Sequence, residues 1–506
     1  MFYRCPSLPI LMIMIPRRLT AALLAASFAC SAALAQDSVP TTVPGAATAA
    51  GPELTLEQCI NRALARNFTL EVGRYSPAIA KDGIEVAKGS YQPQLSVTGA
   101  TGESSSPGFD SRSSNLRVGV TQQLYTGTTL SASSRLDRNS SDPFTLGSLN
   151  PAYDADLTLS ARQSLLRGFG TEVNRAGLDR ARIGLDRANL DYKATALDVI
   201  QDTENAYYNL AFAREQLAVR NFSYALAQRL FDEARIRRDT GVATNLDVLQ
   251  AEVGVANARR NVILAEQAVK DRQDALLALI GQFELDTAIG TVRFAEVSPA
   301  TPVFASSYQM AKQNQPDYLS SLASIEQLKL DVKVAKDDSK PDLTVGAALG
   351  LSGTNGSGKD AFGDALDRQN HSWQVDFAFN YPWGQTSGKA RYRQSLAGLS
   401  REQVRLKQIE QNIELQVRAA VRSVETNLES VKIATLAAKL SEQQYELEKA
   451  KFDAGQSTSR RVLEAQNDLE TARVNELQAK VSLQGAISTL HRVEGSSLQR
   501  YSVNLP

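Results

Sequence analysis

DTGVATNLDVLQAE, residues 239–252, ends one long Pro-free run and opens another. FDAGQSTSRRVLEAQ, residues 452–466, does the same further on. A shift of 214 residues lays Gly241 on Gly455, and Val248-Leu249-Gln250-Ala251 on Val462-Leu463-Glu464-Ala465. The same shift carries Arg259 onto Arg473, Ala265 onto Ala479 and Gly281 onto Gly495. Matches held in one register over about 40 residues indicate an internal duplication. A left-handed residue commonly ends a helix, and Gly takes that conformation without strain. Thr244, Ser457 and Thr458 follow with hydroxyls suited to cap the next helix. The expected elements are two helical hairpins, Asn174–Gly241–Gly281 and Lys389–Gly455–Gly495.

The runs from Asn174 to Arg238 and from Lys389 to Asp453 contain no Pro. At ~1.5 Å per residue each spans roughly 95 Å. In the second, Leu406, Ile409, Ile413, Val417, Val421, Val424, Leu428 and Val431 recur about every 3.6 residues, a stripe that needs neighbours along its whole length.

Ahead of each hairpin lies a second matched pair. Val86-Ala87-Lys88 precedes Pro93-Gln94-Leu95-Ser96-Val97, and Val334-Ala335-Lys336 precedes Pro341-Asp342-Leu343-Thr344-Val345 at the same spacing. Thr55 and Gln58 form a T-x-x-Q capping box that opens a short helix. From Pro93 onward, residues near 94–98, Leu116–Tyr125, Thr129–Arg138 and Ala155–Leu166 alternate apolar with polar. Asp342–Leu351 and Ser372–Tyr381 do so in the second half. Alternation over about ten residues fits a barrel strand with one lipid face and one water face. Gly102–Ser114 and Asn139–Asn150 are expected as polar connections. Trp373, Tyr381 and Trp383 suit an interfacial belt.

Residues 1–35 are expected to be a secretory signal peptide: Arg17-Arg18 is the basic region, Leu19–Ala29 the apolar core, and Ala33-Leu34-Ala35 the cleavage site. Met1–Ile13 adds a second apolar stretch ahead of this, so translation is expected to start at Met12 or Met14, with Met1 as the alternative. Cys30 lacks the flanking residues of lipoprotein processing. Residues 36–52 are expected as a flexible leader. The mature chain keeps Cys59 alone, so no intramolecular disulfide is available.

The chain has 506 residues, with 55 Lys+Arg against 55 Asp+Glu and 43% apolar residues. A charge balance of zero argues against nucleic-acid binding, which favours a basic excess. Two His and three Cys leave little for a metal site. Gly353 to Lys359 matches GxxxxGK, but Asp360 stands where a P-loop needs Ser or Thr; a mobile surface loop accounts for the glycines. His371 and His491 are read as structural, and Glu470 and Glu476 as solvated helix faces. No catalytic constellation emerges, so the chain is read as a non-enzyme without a cofactor.

Taken together, ELTLEQCINRALARN (53–67), SYQPQLSV (90–97), SKPDLTV (339–345), QSLLRGFG (163–170) and the two turns resemble the TolC family of outer-membrane efflux channels. The resemblance implies an α+β, mainly α fold: an outer-membrane β-barrel continuous with a periplasmic α-helical coiled-coil barrel, built from two repeats as a homotrimer. The repeats are placed at 53–290 (strands near 91–166, hairpin 170–282) and 291–506 (strands near 341–382, hairpin 387–495). It implies an exit duct for a tripartite efflux or type I secretion system. Its partners are a periplasmic adaptor, an inner-membrane pump and outer-membrane lipid. The family has four strands per protomer. Six segments alternate here, so the extra pair, Leu116–Tyr125 and Thr129–Arg138, either widens the barrel or lies outside it.

By the same resemblance, Asp247, Phe452 and Glu464 match gate positions at the periplasmic tip. Arg461 stands where the family has a second acidic residue, and Ser457 where it has an arginine. Arg460 or Arg461 is therefore expected to pair with Asp247 and hold the channel shut, the alternative being solvated helix-end charges. Gly241, Thr244, Gly455, Ser457 and Thr458 are the expected adaptor-docking tips. The competing function is an envelope spacer built on coiled coils, which has no need of the strands.

Overall fold

The computed structural model describes residues 54–143, 147–242, 244–281, 283, 289–292, 294, 301–368 and 370–502. The expected signal peptide and leader lie outside them.

Thr55 caps α1 (Leu56–Arg66), and the reciprocal bonds of the capping box both form with Gln58. Asn67 ends α1 and caps α2 (Phe68–Gly89), its side-chain oxygen accepting from Thr69 N at 2.9 Å. Four strands follow: β1 (Gln94–Ser106), β2 (Phe109–Gln123), β3 (Thr128–Asp142) and β4 (Ala152–Ser164). A single turn, α3 (Thr171–Asn174), leads into α4 (Ala176–Asp239), which returns through α5 (Asn245–Ile280). The second half repeats this order with α6 (Phe304–Asn314), α7 (Pro316–Asp338), β5 (Asp342–Asn355), α8 (Gly358–Leu366) and β6 (Asn370–Asn380). Its hairpin is α9 (Thr386–Asp453) and α10 (Ser459–Glu494), closed by α11 (Ser497–Arg500). The long helices have 64 and 68 residues, so each runs about 100 Å.

All six strands form one antiparallel sheet in chain order, β1 to β6. The register sorts side chains cleanly. One row across the sheet reads Leu95, Val120, Ala132, Leu159, Leu349, Trp373. The next row, on the opposite face, reads Ser96, Gly119, Ser133, Thr158, Gly350, Ser372. Leu95, Val97, Leu159, Leu349, Trp373 and Phe377 stand exposed on the apolar face. The polar face carries ion pairs between strands, Arg135 to Asp156 at 3.7 Å and Arg162 to Asp376 at 3.6 Å. Asp376 reaches Arg162 across Gly346, where a Cβ would lie 2.5 Å from its carboxylate.

Four sequence expectations change. Asn139–Asn150 is a connection only in part, because β3 runs on to Asp142 in register with β2. Gly102–Ser114 is not a connection: β1 and β2 run through it to a turn at Pro107-Gly108, and Glu103 pairs across the strands with Arg112 at 3.0 Å. Beyond an apolar band a strand needs no apolar residues, so composition reads as loop there. The glycines from Gly353 to Gly358 are not a mobile loop either. Gly353 lies near the end of β5 beneath α8, where a Cβ would clash with the Ala361 carbonyl oxygen, and the Ser357 hydroxyl caps α8 through Asp360 N. Glu470 is buried and pairs with Arg220 of α4, so it is an internal charge between hairpins and not a solvated one.

The helices pack as the apolar stripe requires. Ile413, Val417, Val421 and Val424 of α9 are buried against Leu483, Ala486, Leu490 and Val493 of α10. A second core, around Cys59, Ile60, Leu70, Ile200, Leu210, Leu276 and Ile280, ties α1 and α2 to α4 and α5. Near the strands, α2 packs on α4, α4 on α7, and α7 on α9.

Candidate functional site at the hairpin tips

Both hairpins turn by the same hydrogen bonds. Gly241 N donates to Arg238 O at 2.9 Å and Val242 N to Arg237 O at 2.8 Å. Gly455 N donates to Phe452 O at 3.0 Å and Gln456 N to Lys451 O at 2.8 Å. These are paired Schellman bonds. The φ angles of Gly241 and Gly455, +79° and +75°, are the ones a side chain would strain.

The helices that follow start differently. Thr244 caps α5 in a full capping box with Asp247, whose carboxylate accepts from Thr244 N at 2.9 Å and from its hydroxyl at 2.7 Å. Those bonds hold the Asp247 carboxyl below the usual aspartate range. Thr458 caps α10 by backbone geometry alone, with no side-chain bond. Arg461 N bonds instead to the Thr458 carbonyl, at 3.1 Å. The reciprocal half of a box is ruled out as well, because the residue three positions on is Asp247 in the first hairpin and Arg461 in the second, and a guanidinium cannot accept. The first turn of α10 has no acidic residue and carries Arg460 and Arg461, the wrong sign for a helix N-terminus. Glu448 of α9 offsets this from across the hairpin. It accepts the Ser457 hydroxyl and lies 3.7 Å from Lys451. The Ser457 bond, then Lys451 and Arg461, hold its carboxyl below the usual glutamate range.

Phe452 is buried among Leu230, Tyr445, Val462, Ala465 and Leu469, a cluster that joins α4 to α9 and α10. Arg237, in the last turn of α4, lies 3.8 Å from the centre of its ring and donates to its carbonyl at 3.3 Å. The two tips of one protomer are thus locked side by side.

Of the residues singled out from sequence, Asp247, Thr244 and Gly241 share the first tip, and Phe452, Gly455, Ser457, Thr458, Arg460, Arg461 and Glu464 the second. Arg460, Arg461 and Glu464 are exposed, while Asp247 is half-buried. Within the protomer no ion pair joins Asp247 to Arg460 or Arg461: Thr244 occupies the one carboxylate, and Arg461 lies beside Glu448. Arg237 and Glu448 were missed. The 214-residue shift lays Arg237 on Lys451, a repeated cation in the last helical turn that marks the position. Nothing in the sequence signals that Glu448 reaches Ser457.

The outer membrane efflux protein family model matches residues 59–282 and 307–496, most of the chain. The chain belongs to this family. It is an outer-membrane efflux channel, with its helical part in the periplasm. This sets aside the spacer reading. Its relatives include the pyoverdine export outer membrane protein OpmQ of Pseudomonas putida, 24% identical over 69% of this chain and 71% of the relative. The outer membrane efflux protein BepC of Brucella suis is 23% identical over 84% of this chain and 82% of its own length. Among solved structures, the Campylobacter jejuni CmeC outer membrane channel superposes with a TM-score of 0.65 at 17% identity, covering 89% of this chain and 90% of CmeC. The OprN outer-membrane channel does so with a TM-score of 0.64 at 17% identity, covering 88% and 90%.

Proposed function

We propose that this efflux protein works as a homotrimer, the exit duct of a tripartite efflux or type I secretion system, and is shut at rest by its hairpin tips. The repeats run over 53–290 and 291–506. One observation carries the reading: a sheet with an exposed apolar face and two unpaired edges sits at the head of two hairpins about 100 Å long. Lipid tolerates the face but not the edges, so copies must pair strand to strand. The hairpins then gather around one axis and their tips meet.

The gate residues are Asp247, Phe452, Arg460, Arg461 and Glu464, with different tasks. Phe452 under Arg237 keeps the two tips of a protomer together. Asp247 presents a charge that stays ionised, and Arg460 or Arg461 of the neighbouring copy answers it. Glu464 adds a carboxylate ring, which favours cations in a narrow pore. The turns at Gly241, Thr244, Gly455, Ser457 and Thr458 face a periplasmic adaptor, and the pump behind it supplies energy and selects cargo. Cross-linking of the detergent-extracted protein tests the assembly: a ladder ending at three copies supports it, and one ending at two contradicts it. Asp247→Asn with Arg461→Gln tests the gate, whose resting conductance rises if the pairing holds it closed and is unchanged if these are solvated charges.

A further inference from the structure

The family resemblance supplies four strands per protomer, and the described residues of this chain form six. We propose that the β2–β3 hairpin spans the membrane with the other strands, so that three copies close an eighteen-stranded barrel as wide as the helical ring beneath it. The inference rests on the trimer proposed above.

Four observations carry it. First, the hairpin lies inside the sheet and not at its edge: β2 pairs with β1 and β3 with β4 over nearly their whole lengths. Removing it from the membrane would strip β1 from the rest of the sheet. Second, its faces agree with those of its neighbours. Leu116, Val118 and Val120 of β2 and Leu130, Ala132 and Leu136 of β3 share the apolar face with Leu157 and Leu159 of β4. Arg117, Ser133 and Arg135 share the polar face with Asp156 and Thr158. A hairpin lying on the protein surface in water has no need of an exposed Leu116, Val118 and Val120. Third, its inner turn is fixed where sheet meets helices. A Cβ on Gly127 would lie 2.3 Å from the Gly168 carbonyl oxygen, the Tyr125 ring lies 4.3 Å from that of Tyr91, and Gly170 N donates to Thr126 O at 3.4 Å.

The fourth is girth. At the strand end of the helices each protomer presents α2, α4, α7 and α9, twelve helices in a trimer. At ~8–10 Å between axes they make a ring of roughly 95–120 Å. Eighteen strands ~4.8 Å apart and tilted ~35–45° make a ring of about 105–120 Å. Twelve strands at the same tilt give about 70–80 Å. Eighteen strands therefore match the helical ring in girth. The free edges suit head-to-tail closure. With six strands alternating in direction, β1 of one copy runs antiparallel to β6 of the next, and the apolar faces continue outward around the ring. The consequence is a mouth as broad as the duct, for cargo of large cross-section.

Cryo-electron microscopy of the full chain in lipid nanodiscs counts the strands. The expected map shows three copies and eighteen strands. Three copies with twelve strands and β2–β3 outside the barrel would overturn the proposal while leaving the trimer intact. A different number of copies would overturn the trimer and the count of eighteen with it. A pair of cysteine variants gives an independent check that needs no map. Arg117→Cys faces the water-filled lumen and Val118→Cys faces lipid, so a membrane-impermeant maleimide should label the first at least tenfold faster. Equal rates would place β2 in water on both faces and overturn the proposal. Cys59 is fully buried and adds little background.

Discussion

The Arg237 guanidinium lies 3.8 Å from the centre of the Phe452 ring and donates to the Phe452 carbonyl, joining the last turn of α4 to the last turn of α9. The same carbonyl accepts Gly455 N, so the cation also sits against the negative end of α9. One side chain thereby couples the two hairpins of a protomer at the point where a gate must move. A half-buried cation–π contact with a hydrogen bond is worth about 1–3 kcal/mol. Arg237→Ala should loosen the tips and raise resting conductance several-fold, with barrel migration on gels unchanged. Arg237→Lys should fall between, since an ammonium cannot both stack and bond in the same geometry.

The two caps predict an asymmetry between otherwise equivalent turns. Thr244→Ala removes a capping box and should cost about 1 kcal/mol locally, read as faster amide exchange at residues 245–248. Thr458→Ala removes no side-chain bond and should leave exchange at the start of α10 unchanged. Equal effects at both sites would contradict the asymmetry.

Protonation acts on the same cap. Asp247 titrates lower in the folded chain than unfolded, so its contribution is complete above the ordinary aspartate value and is lost as pH falls through the lower folded one. Protection at the start of α5 should therefore persist at pH 5 and fade only in stronger acid. In Asp247→Asn, whose amide oxygen accepts but does not titrate, it should be flat with pH.

His491 behaves in the opposite chemical sense. Burial, then the Arg500 guanidinium against its ring, push its pKa down to about 4. The folded chain refuses a proton that the unfolded chain takes near pH 6.5. Stability should be greatest above pH 6.5, decline as pH falls toward 4, and level off below. His491→Gln should flatten that segment of the thermal-stability profile.

Cys59 is fully buried in the core that joins α1 to α4 and α5, and burial pushes its thiol up to about 12. It should resist maleimide in the native protein and react on denaturation, which makes it a clean reporter of unfolding.

Much of this architecture is legible in the sequence, because its signals are periodic and repeated. The α9 stripe from Ile409 to Val431 predicts which face α10 covers, and the paired Gly241 and Gly455 predict both turns to the residue. The Thr55 box is visible for the same reason: capping is local. Less legible is whatever depends on tertiary approach. Ser104, Ser105 and Ser106 read as loop, yet they extend β1 because their partners on β2 lie beside them. Glu470 reads as a surface charge until Arg220 of another helix reaches it. At the tips both turns are legible, but their side-chain contacts are not: the cap takes the Asp247 carboxylate within its own chain, and Phe452 meets Arg237 because α4 packs on α10, the partner of α9.

The most direct test of the account is conductance of the purified, detergent-extracted protein in a planar bilayer, before and after Asp247→Asn with Arg461→Gln. A channel held shut by this pairing gives small, cation-preferring steps from the parent protein and steps several-fold larger from the variant. No steps from either protein, with folding confirmed by heat-modifiable migration, would contradict it.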